Sequence, residues 1–242
     1  MGTIKGSYFT DVGGRSENED SFLLIHREDR GCCALVADGL GGHGGGAAAS
    51  AKAKDIIEEC FLSEEIKSPE EFNVWFQKAN QEVINMQTPD IEMKTTLVVL
   101  IIKNKNAMWA NIGDSRLYHF RNGELVEQTF DHSVSQMAVL RGEIKQEEIR
   151  GHIDRNRLLQ AIGRTDTIKL DYSDRVSLDG AEHAFLLCTD GFWEYVTEAE
   201  MEKDLRKSDS PNEWLEKMKK RLEKRTRNID NDNNTAVAIM YK

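Results

Sequence analysis

The sequence predicts an α+β fold in which helices pack outside a sandwich of antiparallel sheets. Short apolar runs come in pairs separated by tight polar turns, the pattern of antiparallel hairpins. Helical patterns come two in succession rather than one after each strand, which is not the alternation of a doubly wound parallel sheet. The 242 residues hold three prolines, no Pro-, Gly- or Ser-rich linker and no internal repeat. A chain of that size can bury one sizeable core, so residues 1–242 are expected to form one domain.

The elements follow in order. Among the first forty residues, which read as strands, the runs 21–26 (SFLLIH) and 32–37 (CCALVA) flank the polar turn 27–31. A glycine-dense loop leads into 47–62, alanine-rich and free of breakers, hence a helix. Ser68, Pro69 and Glu71 supply an N-cap, a proline at the first helical position and a capping-box glutamate for a second helix over 70–86. Strands return at 95–102, 107–112, 116–120 and 124–128, with Lys103–Asn106 and Arg121–Gly123 as hairpin turns, Asn-Gly being a strong signal. From 131 to 163 the pattern is helical and polar, and strands recur near 167–178 and at 183–189. Capping boxes at Thr197–Glu200 and Ser210–Glu213 start two more helices, and 235–241 closes the chain as a strand.

Composition excludes several classes. A net charge of −10 argues against a general nucleic-acid binder. The basic run 217–227 has Trp214, Leu215, Met218 and Leu222 at helical spacing behind it, so its charges are the wet face of an amphipathic helix. Cys32, Cys33, Cys60 and Cys188 have no framework spacing, and all but Cys60 lie in apolar runs, as free thiols in a reducing compartment would. No signal peptide opens the sequence and no apolar run is long enough to span a bilayer. Gly2 lacks the Ser or Thr that a myristoylation motif needs at position 6. A cytoplasmic protein without nucleic-acid or membrane partners is expected.

Gly39-Leu40-Gly41-Gly42-His43-Gly44 satisfies the dinucleotide template G-x-G-x-x-G, with Glu58 and Glu59 about twenty residues on. That fingerprint needs its acid at the end of a second parallel strand. Glu58 and Glu59 instead sit in a helical stripe with Ile56, Ile57, Cys60 and Phe61, and no phosphate-cradling G-x-x-x-x-G-K-[ST] occurs either. A nucleotide-binding oxidoreductase is therefore set aside.

A different regularity carries the chemistry. The runs CCALVA, AMWANI and HAFLLC each lead into an aspartate: Asp38, Asp114 and Asp190. Glu19 and Asp20 precede SFLLIH, and Asp232 precedes the last strand. Singly each is an ordinary turn residue, as Asp179-Gly180 is. Strands ending at one rim would gather these carboxylates, and like charges held close call for a counter-charge. An all-oxygen donor set suits magnesium or manganese rather than zinc. Two such ions activate water for attack on phosphorus, and Arg15 just upstream can grip two phosphoryl oxygens. Metal-assisted hydrolysis of a phosphate ester follows from the residue types.

The segments R-S-E-N-E-D (15–20), A-D-G-L-G-G-H (37–43), N-I-G-D-S-R (111–116), C-T-D-G (188–191) and D-N-N-T (232–235) occur in this order. They resemble the motifs of the metal-dependent serine/threonine protein phosphatases of type 2C, the bacterial branch in particular. D-H-S (131–133) and residues 152–163 resemble further segments of that branch. The resemblance implies a four-layer αββα sandwich of two antiparallel sheets flanked by paired helices, with 131–163 as a flap subdomain beside the site. It implies two Mn²⁺ or Mg²⁺ ions and a possible third. Asp38 would bridge the two metals. Glu19 and the Gly39 carbonyl would complete one site, Asp190 and Asp232 the other, with Asp20 holding water from behind. Asp114, with Asp190, would serve the third ion, and Arg15 would bind phosphate. His43 corresponds to a histidine that is one candidate donor of a proton to the leaving alkoxide, water being the other.

Histidines 119, 132, 152 and 183 are read as structural or surface residues. The alternative to a flap is a helical insertion serving only packing, through Met137, Val139, Leu140 and Ile144. Leu40, Ala47 and Ile153 replace the family's usual methionine, glutamate and proline, which touches loop detail and no metal ligand. The resemblance implies phosphoproteins, targets of a Ser/Thr kinase, as substrates and a monomeric enzyme. A non-catalytic phosphoprotein-binding module would show a degenerate ligand set, and this one is intact.

Overall fold

A computed structural model describes residues 2–41 and 45–242. Its first half contains β1 (Ile4–Asp11), β2 (Ser21–Arg27), β3 (Gly31–Ala37), β4 (Gly39–Leu40), α1 (Gly45–Ser63), α2 (Phe72–Met86), β5 (Lys94–Thr95), β6 (Leu97–Lys103) and β7 (Asn106–Ile112). There follow β8 (Arg116–Arg121), β9 (Glu124–Gln128), α3 (Val134–Leu140), β10 (Asp171–Tyr172), β11 (Val176–Ser177) and β12 (His183–Cys188). α4 (Asp190–Trp193), α5 (Glu198–Leu205), α6 (Pro211–Thr226) and β13 (Asn234–Tyr241) end it.

Two antiparallel sheets face each other. One runs β1-β13-β12-β8-β9, and the other β10-β7-β6-β3-β2 with β11 also on β7. The strands read as unbroken apolar runs because both faces are covered. Cys32, Ala34 and Val36 of β3 point into the core between the sheets, where they meet Val98, Leu100, Phe185 and Val237. Cys33, Leu35 and Ala37 point outward onto Ala53 and Ile57 of α1 and Phe76 and Ala79 of α2. The other sheet does the same with Leu186 and Ala238 beneath Met201, Trp214 and Met218 of α5 and α6. Period-2 alternation thus feeds three cores stacked as αββα. The basic run of α6 is the wet face expected, with Trp214, Leu215, Met218 and Leu222 buried. All four cysteines are free and buried.

β1 falls within the first forty residues read as strands, and several later elements depart from expectation. β1 pairs with β13 along its whole length, Ile4 with Tyr241 to Asp11 with Asn234, although Lys5, Gly6 and Ser7 dilute its apolar pattern. Only Ile4, Ser7 and Phe9 of this edge strand are partly buried, so the backbone ladder to β13 rather than an apolar face defines it. The strand expected over 95–102 breaks at Thr96, so that β5 pairs with β4 in a small separate ribbon. The second helix begins with a 3-10 turn at Pro69–Glu71, and Ser68 makes no side-chain cap. Glu71 accepts instead from the Lys67 amide at 2.8 Å. Strand content over 167–178 is two short bridges to β7. Within 131–163 helix is confined to α3 and a 3-10 turn at Gln146–Gly151, the rest being turns. Gly142 with φ +72° stops α3. There Val139 and Ile144 pack on the outer core, but Leu140 and Met137 are 64% and 38% exposed, contrary to the packing-only alternative. Among the described residues no helix is long and apolar enough to cross a membrane.

Candidate active site

Antiparallel topology alone puts the acids on one rim. β3 ends into Asp38, and its partner β2 begins after Asp20 at the same end. β12 ends into Asp190, its partner β13 begins after Asp232, and β1 runs out toward Arg15 beside the start of β13. β7 ends there too, and Gly113-Asp114-Ser115 carries the chain across to β8 in the facing sheet. Gly113 holds φ +98° in that crossing. A cavity of about 570 Å³ opens at this rim, lined by Arg15, Glu19, Asp38, Gly39, Asp114, Asp190 and Asp232. Asn156 and Leu158 of the 131–163 segment line it as well. Asp20 lies behind the lining, its Oδ2 accepting from the Thr189 hydroxyl at 2.9 Å. His43 lies outside the described residues.

The rim is electrostatically tense. Burial pushes Asp20 up to about 7 against the pull of the Thr235 and Thr189 hydroxyls. Burial, with the charges of Glu194 and Asp232 beside it, pushes Asp190 up to about 7. Asp38 and Asp114 stand well above the usual carboxylate range, burial first and the Asp190 charge next. Burial also raises Glu19. Asp20 Oδ1 and Asp190 Oδ1 are buried acceptors with no hydrogen-bond partner among the described residues. Orphaned carboxylate oxygens in a crowd of like charge are what a bound cation would satisfy. The donors are all oxygens, which fits Mn²⁺ or Mg²⁺. Among the described residues no three His, Cys, Asp or Glu groups close to metal-ligand spacing.

The only described cation of the expected set, Arg15, donates through Nη2 to Asp232 Oδ2 at 2.8 Å, both side chains about half exposed. Arg15 also lines the cavity. Gly39 is needed for close approach: a Cβ there would lie 2.3 Å from the Gly46 carbonyl oxygen and 2.6 Å from that of Glu19.

The supporting roles of the residues that hold the acids in place could not be read from the sequence, even where they fall inside the quoted motifs. The Asp38 amide donates to Thr96 Oγ1 at 2.9 Å, its carbonyl accepts from Thr95 Oγ1 at 2.8 Å, and Thr96 Oγ1 meets Ser115 Oγ at 2.7 Å. Beta-branched threonines in TTLVVLII read simply as strand formers. The Trp193 indole donates to the Asp114 carbonyl at 2.9 Å, and the Arg116 guanidinium lies 3.5 Å from the centre of that indole ring. Arg116 and Asp131, both within the quoted motifs, form a buried bidentate pair at 2.8 and 2.7 Å. His132 Nδ1 accepts from the Gly113 amide at 3.1 Å, and His119 and His183 stack in the core, so these three are structural as expected.

Comparison with known proteins places this geometry. The protein phosphatase 2C family model matches residues 13–232. The serine/threonine phosphatase stp of Listeria innocua is 32% identical over 212 residues, which cover 84% of this chain and 83% of that protein. Protein phosphatase PhpP of Streptococcus pneumoniae is 31% identical over 213 residues, covering 85% of each. The crystal structure of the Mycobacterium tuberculosis serine/threonine phosphatase PstP/Ppp, 26% identical, superposes with a TM-score of 0.81 over 98% of this chain and 97% of that one. A family match over most of the chain, relatives above 30% identity aligned over more than four fifths of each chain, and a shared αββα fold agree: the chain belongs to the protein phosphatase 2C family and is a protein-serine/threonine phosphatase.

Proposed function

We propose that the enzyme hydrolyses phosphoserine and phosphothreonine on proteins with the help of two divalent cations, Mn²⁺ or Mg²⁺, held at the carboxylate rim. The observation that carries this reading is the pair of orphaned buried oxygens on Asp20 and Asp190 within a ring of acids lining one cavity. Asp38 would be shared between the ions, with Glu19 and the Gly39 carbonyl on one side and Asp190 and Asp232 on the other. Asp20 would order the cluster from behind, and Asp114 would serve a third ion. When bound, the ions supply a water of lowered pKa and offset phosphoryl charge. Arg15 grips two non-bridging oxygens of the phosphoryl group and orients it for in-line attack. The leaving serine or threonine alkoxide takes its proton from His43 or from water, since an unprotonated alkoxide leaves poorly.

We read residues 131–163 as a flap, because Asn156 and Leu158 form part of the cavity wall, and 1–242 as one catalytic domain. The substrates fit targets of a Ser/Thr kinase, dephosphorylated in the cytoplasm by a monomer.

The test is hydrolysis of p-nitrophenyl phosphate and a phosphothreonine peptide with Mn²⁺, with EDTA, and for Asp190→Asn with Mn²⁺. Turnover should require the metal and fall about a hundredfold or more in the variant. Metal-independent turnover, or an unimpaired variant, would sink the mechanism.

A further inference from the structure

The geometry points to Asn233 as the positioning residue for the loop that carries Arg15 and Glu19. Residues 12–20 contain no helix or strand, yet both side chains must reach the cavity from there. The Asn233 side chain is 5% exposed. Its Oδ1 accepts from the Glu19 amide at 2.8 Å. Its Nδ2 donates to the carbonyls of Val12 at 2.8 Å and Glu17 at 2.9 Å.

An asparagine next to a turn normally bonds to backbone two residues on. Here all three bonds span the chain, at sequence separations of 214, 221 and 216 residues. The two donors bracket Arg15, and the acceptor fixes Glu19. One amide orientation alone satisfies this pattern, because the flipped group would set NH₂ against the Glu19 N–H. Aspartate could accept but not donate, and alanine could do neither.

Few other contacts hold the first part of the loop. The Gly13 amide donates to Asp11 Oδ1 at 2.9 Å. The Gly14 amide donates to the Asn231 carbonyl at 2.9 Å and the Arg15 amide to the Val12 carbonyl at 3.3 Å, while the Arg15 guanidinium donates to Asp232. Asn233 is held in turn by close backbone contact: a Cβ on Gly191, in α4 beside Asp190, would lie 2.1 Å from the Asn233 carbonyl oxygen. The amide thus fixes the guanidinium to the same rigid corner as the carboxylates, and phosphate meets both at a constant spacing.

This inference rests on Arg15 as the phosphate-gripping residue, so the experiment keeps the two apart. The KM for a phosphothreonine peptide, kcat, and inhibition by inorganic phosphate are measured for wild type, Asn233→Ala, Arg15→Ala and the double variant. Mn²⁺ binding is followed by the EPR signal of the free ion. Asn233→Ala should raise KM and the phosphate inhibition constant about tenfold and weaken Mn²⁺ binding through Glu19. Arg15→Ala should raise the same two constants without weakening Mn²⁺ binding, because it frees Asp232 Oδ2 and leaves Glu19 in place. In the Arg15→Ala background the Asn233 change should add less than about twofold to phosphate inhibition, because its effect passes through Arg15.

A silent Arg15→Ala rejects the phosphate-gripping role itself. An effective Arg15→Ala with a silent Asn233→Ala, or with effects that multiply in full, overturns the positioning role alone. Thermal unfolding shows whether each variant folds. If Asn233→Ala does not, amide exchange in the wild type decides: slow exchange at Glu19 supports the clamp, and exchange at the rate of a free loop overturns it.

Discussion

The buried pair of Arg116 and Asp131 offers the sharpest test of how the rim is supported. Both side chains are 1% exposed, and the guanidinium meets the carboxylate through Nε and Nη2. Asp131→Asn keeps the shape but removes the charge and sets an NH₂ group against one guanidinium N–H. The nearest remaining carboxylate, Glu198, is 3.9 Å away from Nη1 and already engaged by Arg150 at 2.8 Å. A surface pair of this kind would be worth well under 1 kcal/mol, but stranding a buried charge costs about 3–5 kcal/mol. Against a total of about 5–15 kcal/mol, that is a large share of the stability.

With a urea m value of about 3 kcal/mol/M, the midpoint should fall by about 1 M or more. Activity should fall with it, since Arg116 packs on the indole that donates to the Asp114 carbonyl. Removing both charges with Arg116→Met and Asp131→Leu should cost less than the sum of the single changes, by about 2 kcal/mol or more. A cost below about 1 kcal/mol for Asp131→Asn, or plain additivity in the double variant, would refute the reasoning.

Two further outcomes follow from the same structure. Burial and the neighbouring His183 pull His119 down to about 4, so between about pH 4 and 6.5 the unfolded chain binds the proton that the folded one refuses. Stability should therefore be lost as pH falls through that window, by about 3 kcal/mol, and urea unfolding of His119→Phe should lack this part of the slope. Thr189→Val keeps the shape of a side chain that donates to Asp20 and accepts from the Thr235 amide at 3.0 Å. It should cost about 1–3 kcal/mol in unfolding and weaken Mn²⁺ binding about tenfold or more, and unchanged Mn²⁺ titration would count against Asp20 as a supporting carboxylate.

What could be read in advance follows from how far each signal reaches along the chain. Apolar runs, turn chemistry and caps are local, so the β3, β6–β7 and β8–β9 segments and the two helix pairs were legible within a few residues. The carboxylates were legible too, because a strand end fixes where its aspartate goes and antiparallel pairing sends alternate ends to one rim. β1 was hard to place because an edge strand carrying Lys5, Gly6 and Ser7 has little apolar pattern. The turns of 131–163 were misjudged as helix because Gly142 ends α3 early and Ile149 enters the core from a 3-10 turn, while the local polar spacing still looks helical.

The roles of the site's supports were illegible for a different reason, although Ser115, Thr189 and Asn233 lie inside the quoted motifs. Thr96, Ser115, Thr189 and Asn233 are ordinary polar residues whose meaning lies in partners from distant segments. Even the glycine template misled by being local. It is satisfied by spacing, yet Gly39 and Gly46 serve a contact between two backbones, where a Cβ on Gly46 would lie 2.7 Å from a Glu19 carboxylate oxygen. A phosphate-cradling loop needs glycine so that a ligand can approach. Here glycine lets the start of α1 press against β4 and brings Glu19 beside Asp38, so the same residue type serves the carboxylates rather than the phosphate.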